Sequence, residues 1–210
     1  HSKTDIEKAL VLSSRTRQYA TTGKMIASID AALQGLTILG YNFSKNPTKA
    51  HINQELSAIQ IARNGRAVEA LINLPEVTDQ KVKIASQLIM EIFPAAFLSG
   101  SGEMFPYLVL KSVNIALQSG NSPESAFAYA AYGMILCGYF NDVDKGFAYG
   151  QLAVKMIDKF NDVTLKSRIF YLYAMFVHHW SNHWSTMTPW FKKGIEAGYQ
   201  CKWYIIHFQA

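Results

Sequence analysis

Turn signals divide this chain at nearly regular intervals: "LPEVTD" at 74–79, "SGSG" at 99–102, "SGNSPES" at 119–125, "FND" at 140–142 and 160–162, and "SNH" at 181–183. Between them, apolar residues wrap most of a helical circumference, as in "IFYLYAMFV" at 169–177. A helix that is apolar on most sides is sandwiched between neighbours. Alternating strand patterns and hairpin dipeptides are absent, so the pattern predicts an all-α protein of about ten helices.

The turns also carry a period, because "FNDV" at 140–143 returns as "FNDV" at 160–163. Two helices and their turns then make a unit of roughly 40 residues, the size at which a helical hairpin buries its face by stacking on the next. The expected fold is a right-handed α-solenoid of antiparallel helix pairs, a degenerate relative of the tetratricopeptide type, turning near 100, 120, 141, 161 and 182. Residues 3–210 are expected to form one domain. The clearest helix start is "NSPES": Ser122 caps free backbone N–H groups, Pro123 occupies the first helical position, and Glu124 complements the positive helix end. Small residues are expected where helices cross, at Gly133 in one helix and at Gly146, Gly150 and Ala153 in the next. With Gly133 as the small position, Tyr129, Tyr132 and Leu136 fall at the apolar positions of the repeat, although a tyrosine replaces the consensus tryptophan.

Composition narrows the setting. Half of the residues are hydrophobic and 17% are charged, which excludes a disordered chain. The stretch "SAFAYAAYGMILCGYF" at 125–140 is too short to span a membrane and reads as a buried helix. Cys137 and Cys201 match neither a redox pair nor a zinc-ribbon spacing, and no export signal opens the chain, so a reducing, cytoplasmic setting is expected. The leading His-Ser pair reads as a cloning remnant. The formal charge of +5 is scattered rather than gathered in a stripe, which argues against nucleic acid as partner.

"LPEVTD", "EMFPYLVLKSVNIALQSGNSPESAFAYAAYGMILCG" and "DVDKGFAYGQLAVKMIDKF" resemble the helical segment of large bacterial signalling proteins. Those proteins join a serine/threonine-kinase-like domain, a predicted AAA-type ATPase, a tetratricopeptide-like region, a GAF sensor and a histidine kinase. The likeness runs from about Gly23 to Gly198 and is most specific from Glu103 to Phe160. It implies a non-catalytic scaffold or relay between ATPase and kinase, with protein partners, neither nucleic acid nor membrane, and no cofactor. A chain that opens inside a helix pattern without a cap and stops at "KWYIIHFQA" is expected to be a fragment of such a protein. The alternative is a ligand-sensing domain that takes a small hydrophobic or aromatic molecule in its concave groove.

No residues are expected to be catalytic. There is no Gly-rich phosphate loop with lysine, no "HRD" or "DFG", no "GXSXG", and no cysteine in a nucleophile context. Cys137 inside an apolar helix should be an inert, protonated thiol. Glu91, Glu103 and Glu124 read as solvated or dipole-complementing groups. An EF-hand reading of "NDVDKG" fails, because counting from Asp142 puts Phe147 and Ala153 where glycine and glutamate are needed. "FVHHWSNHW" at 176–184 spaces His179 and His183 for one helical face, but two histidines make half of a zinc site. The cluster therefore reads as packing or turn-stabilising, with a groove role second and no metal assigned. Shifting the Gly133 frame by 41 residues places Ala174 at the next small position. The partner-binding groove is then expected to comprise Arg168, Tyr171, Met175, His178 and His179, with Phe127, Ala130, Met134 and Cys137 of the preceding unit beside them.

Overall fold

The structure, a computed structural model, describes residues 4–100 and 102–200. Cys201 and the "KWYIIHFQA" ending lie outside the described residues, as does the leading His-Ser pair. Among the described residues are nine α-helices: α1 (Asp5–Thr21), α2 (Met25–Ile38), α3 (Lys49–Arg63), α4 (Gln80–Leu98), α5 (Met104–Ser119), α6 (Pro123–Gly138), α7 (Val143–Phe160), α8 (Val163–Phe176) and α9 (Thr188–Gln200). Three 3-10 segments, Val68–Asn73, His178–Trp180 and Trp184–Met187, complete the described elements, and no strand occurs among the described residues. The all-α expectation holds, and helical segments end or begin at every expected turn. The chain gathers into two compact units, one formed by residues up to 64 with 75–120, the other by 65–74 with the residues from 121 on.

In the first unit α1 pairs with α2, α4 packs against both, and α5 packs on α3 and α4. The helix start at residue 5 has a full cap, contrary to the expected capless opening. Glu7 N–H donates to the Thr4 hydroxyl (3.2 Å) and Thr4 N–H donates to the Glu7 carboxylate (2.8 Å), which satisfies two otherwise free donors. Two carboxylates are buried here. Glu55 on α3 is paired with Lys111 on α5 at 2.7 Å and accepts from Asn114 Nδ2 at 2.7 Å. Glu91 on α4, expected to be solvated, instead accepts from Ser13 (3.0 Å) and pairs with Arg17 (3.3 Å) across the contact with α1. A charge on the apolar side of a helix must bring its partners with it.

The second unit explains the repeated "FNDV". Asn141 and Asn161 both take the left-handed conformation that ends a helical run (φ 55° and 54°), a conformation asparagine tolerates better than most residues. The aspartate that follows caps the next helix: Lys145 N–H donates to Asp142 (3.3 Å) and Leu165 N–H to Asp162 (3.0 Å). The motif is therefore one local device used twice, with Asp142 and Asp162 each serving as a helix cap. A hydrogen bond from the Lys145 side chain holds the Asp142 carboxyl below its ordinary range.

The turn at Asn141 folds α7 back along α6, the most extensive helix pairing in the unit, and glycine makes the close approach possible. A Cβ on Gly133 would lie 2.7 Å from the Gly146 carbonyl oxygen and 3.1 Å from the Gly150 nitrogen. One on Gly146 would collide with the Cys137 sulfur, and one on Gly150 would come within 2.7 Å of Val177. Helix α8 then packs on α6 and α7, and α9 on α8. Ala174, the small position one period after Gly133, is fully buried as the frame requires. Cys137 lies in the core with Val154, Phe170, Tyr173 and Val177. Burial, with a smaller contribution from the Asp142 charge, pushes its thiol up to about 11, so it is protonated at neutral pH.

Candidate functional site

The structure divides the seven expected groove residues. Phe127 is buried, as are Ala130 and Cys137 beside it, and Met134 is half-buried against the Cys137 core cluster. These residues of α6 hold the unit together and do not form an open groove. On α8, by contrast, Thr164, Arg168, Tyr171 and Met175 follow one another at helical spacing along a single face. Tyr171 is 52% exposed and Met175 44%, a large apolar exposure for neighbours one turn apart.

The same face continues onto α9. Helix α9 packs on α8 with Gly194 and Gly198 facing Ser167 and Phe170, at distances (3.4–3.6 Å from an added Cβ) that ordinary side-chain contact also allows. That placement turns Phe191 toward Tyr171, their ring centroids 6.2 Å apart, while Phe176 meets Tyr171 edge-on at 6.3 Å. One turn further along α9, Ile195 is 54% exposed, and Lys192 stands beside it on the solvent side. The candidate site is thus a surface on two helices: Tyr171, Met175, Phe191 and Ile195, flanked by Arg168 and Lys192. Sequence reasoning missed the α9 half, whose signal is the small-residue spacing of Gly194, Ala197 and Gly198.

His178 belongs to the interior. Helix α8 ends at Phe176, and Val177 leaves the helical region (φ −125°, ψ −51°), so the helical frame no longer says where later side chains point. His178 Nε2 lies 2.8 Å from the Thr186 hydroxyl, and Nδ1 lies 3.3 Å from the Tyr173 hydroxyl. Because the Thr186 hydroxyl donates to the His183 carbonyl at 2.6 Å, it accepts from Nε2–H. Nδ1 is then the acceptor for Tyr173, which accepts in turn from Gln151 at 3.3 Å. The neutral imidazole fills both of its roles. His179 is exposed against Trp180, and His183 caps the segment at Trp184 by accepting from Ser185 N–H at 3.3 Å. The common helical face proposed for His179 and His183 does not exist, since the helix has already ended.

The neutral state of His178 makes stability depend on pH. Burial, followed by the nearby His179 charge, lowers its pKa below 6.5, so the unfolded chain binds the proton more readily than the folded one. Stability is therefore lost as pH falls below about 6.5, and the loss stops growing once pH passes the folded-state value. Melting temperatures measured from pH 7.5 to 5 should fall more steeply for the parent chain than for His178→Asn. Parallel curves for the two would refute this assignment.

A separate cleft of about 390 Å³ lies between the Val68–Asn73 segment and α7, lined by Glu69, Asp144, Phe147, Gln151 and Lys155 among others. Charges of both signs surround an apolar floor there. No group of three or more histidine, cysteine or acidic side chains is placed to hold a metal ion among the described residues. No helix among them is long and apolar enough to cross a membrane.

Against this geometry, one known relative supplies context. The chain is 22% identical over 207 aligned residues to the hybrid signal transduction histidine kinase G of Dictyostelium discoideum. It is similar to part of a signalling protein. The match covers 90% of this chain but 6% of that kinase, so the chain corresponds to a small segment of the relative. The relative comes from Dictyostelium, whereas the sequence resemblance pointed to bacterial proteins. No family model matches the chain, and no solved structure matches it.

Proposed function

We propose that this chain is a non-catalytic docking and relay module of a signal-transduction protein, built from tetratricopeptide-like helical repeats. It links an ATPase domain to a kinase domain in the cytoplasm, and its partners are neighbouring domains or a regulatory protein. The observation that carries the proposal is the α8–α9 face. Tyr171, Met175 and Ile195 lie open to solvent on the paired helices α8 and α9, and exposed aromatic and aliphatic residues gathered in this way mark interaction surfaces. Distant likeness to a histidine kinase supports a signalling context for such a module.

Tyrosine and arginine are frequent anchors of protein interfaces, so Arg168→Ala combined with Tyr171→Ala is the informative variant. Its helical content should match the parent, while association with the neighbouring domain weakens by about tenfold or more, equivalent to roughly 1.4 kcal/mol or more. Parental binding and parental kinase regulation in the double variant would discard the docking face. A second reading, a ligand-sensing domain, rests on the cleft beside α7, whose size lies in the range of small-molecule sites, about 300–1,000 Å³. Filling that cleft with a small aromatic compound such as indole should raise the melting temperature of the parent chain and leave that of Gln151→Leu unchanged.

A further inference from the structure

We infer that the α8–α9 face docks an extended acidic protein segment with apolar side chains between its carboxylates; this rests on the docking function proposed above and adds the chemistry of the partner. Charge is divided unevenly within the unit. Residues 121–162 carry five acidic and three basic side chains, whereas residues 163–200 carry Lys166, Arg168, Lys192 and Lys193 against Glu196 alone. The apolar face lies on this positive side.

Lys166 is engaged internally with Asp158 (3.4 Å) and Asn161 (3.1 Å). Lys193 folds over the Trp190 ring, 4.6 Å from its centroid, and keeps its ammonium at the surface. Lys192 is exposed one turn before Ile195, and Arg168 precedes Tyr171 by one turn on α8. One cation therefore borders the apolar strip on each helix, Arg168 on α8 and Lys192 on α9, with Glu196 the single carboxylate beside Ile195. An extended segment that alternates carboxylates with large apolar residues matches that order, placing apolar groups on Tyr171, Met175 and Ile195 and charges toward the rims. Complementary rims steer association and exclude basic competitors. A nucleic acid is the poorer match, because the strip between the cations is aliphatic as well as aromatic and no run of basic residues tracks a phosphate backbone.

The test uses two fluorescent twelve-residue peptides, (Glu-Leu-Glu-Phe)3 and (Lys-Leu-Lys-Phe)3, with poly(U) RNA and phosphatidylserine vesicles as competing surfaces. Each is titrated against the parent chain, Lys192→Glu with Lys193→Glu, and Tyr171→Ala. The acidic peptide should bind the parent at least tenfold more tightly than the basic one. The preference should reverse in the double charge variant, and Tyr171→Ala should weaken the acidic peptide without lowering the melting temperature. If both peptides bind the parent equally and Tyr171→Ala weakens both, the face docks protein but the acidic partner is wrong. If neither binds, or Tyr171→Ala changes nothing, the docking face falls as well. Preference for RNA or vesicles over the acidic peptide also overturns the inference.

Discussion

Gly133→Leu should lower stability by about 3 kcal/mol, near the upper end of the usual cost of overpacking a core. The reason is what a side chain would meet. The atoms nearest a Gly133 Cβ are the carbonyl oxygen of Gly146 and the amide nitrogen of Gly150, both backbone atoms that cannot rotate away. Relief requires α6 and α7 to separate, which also loosens Val177 and Tyr173 where they pack on Gly150. For a chain of this length the loss corresponds to roughly 6–12 °C in melting temperature, followed by circular dichroism. At Gly138, five residues on in the same helix, a Cβ would have nothing within 4 Å of it. Gly138→Ala should therefore melt within about 1 kcal/mol of the parent, the scale of intrinsic helix propensity. Equal melting of Gly133→Leu and Gly138→Ala would show that the α6–α7 crossing is not close.

Lys111→Met should be comparably costly, about 3 kcal/mol, because it strands a buried carboxylate. The Glu55 side chain is 10% exposed and the Lys111 side chain 26%, so the loss belongs at the lower end of the range for broken buried pairs. The ammonium of Lys111 also lies 5.6 Å from the Phe43 ring centroid and 5.7 Å from that of Tyr107, while Ser44 N–H donates to the Tyr107 hydroxyl at 3.2 Å. One lysine thus ties α5 both to α3 and to the connection before it. Glu55→Gln in the Lys111→Met background removes the stranded charge and keeps an acceptor for Asn114. The double variant should recover to within about 1 kcal/mol of the parent, because replacing both members of a buried pair is often nearly neutral. Urea denaturation of all four proteins in a double-mutant cycle measures the coupling, and additive losses would remove the pair as a source of stability.

Both variants probe interiors, and the two were unequally legible in the sequence. Gly133, Gly146 and Gly150 stand out because a glycine within an apolar helical pattern needs a reason, and the period aligned them. Glu55 and Lys111 are 56 positions apart and look like two ordinary surface charges. Nothing in their local pattern reveals that they meet, since ion pairing across helices depends on which faces pack. Glu91 has the same history: its helical position is readable, but its burial against Ser13 and Arg17 is not.

Short-range properties of the chain were enough for the all-α class, the turn positions, the caps at Ser122 and Asp142, the recurrence of the "FNDV" turn, and the glycines of the α6–α7 crossing. Each follows from backbone preference or from periodicity within a few residues, where the chain acts on itself. Which aromatic and basic residues face solvent was settled by packing between helices. Phe127 and Tyr171 look alike in a helical frame, yet one is buried in packing and the other stays open because α9 covers the adjacent face of α8, the side of Ser167 and Phe170. His178 turned inward because the helix ended two residues before it, and its partners Tyr173, Thr186 and Gln151 are brought together by three separate segments. Local rules fix where a helix runs; which of its sides is covered depends on the shapes of its neighbours, and those become defined only when the helices pack.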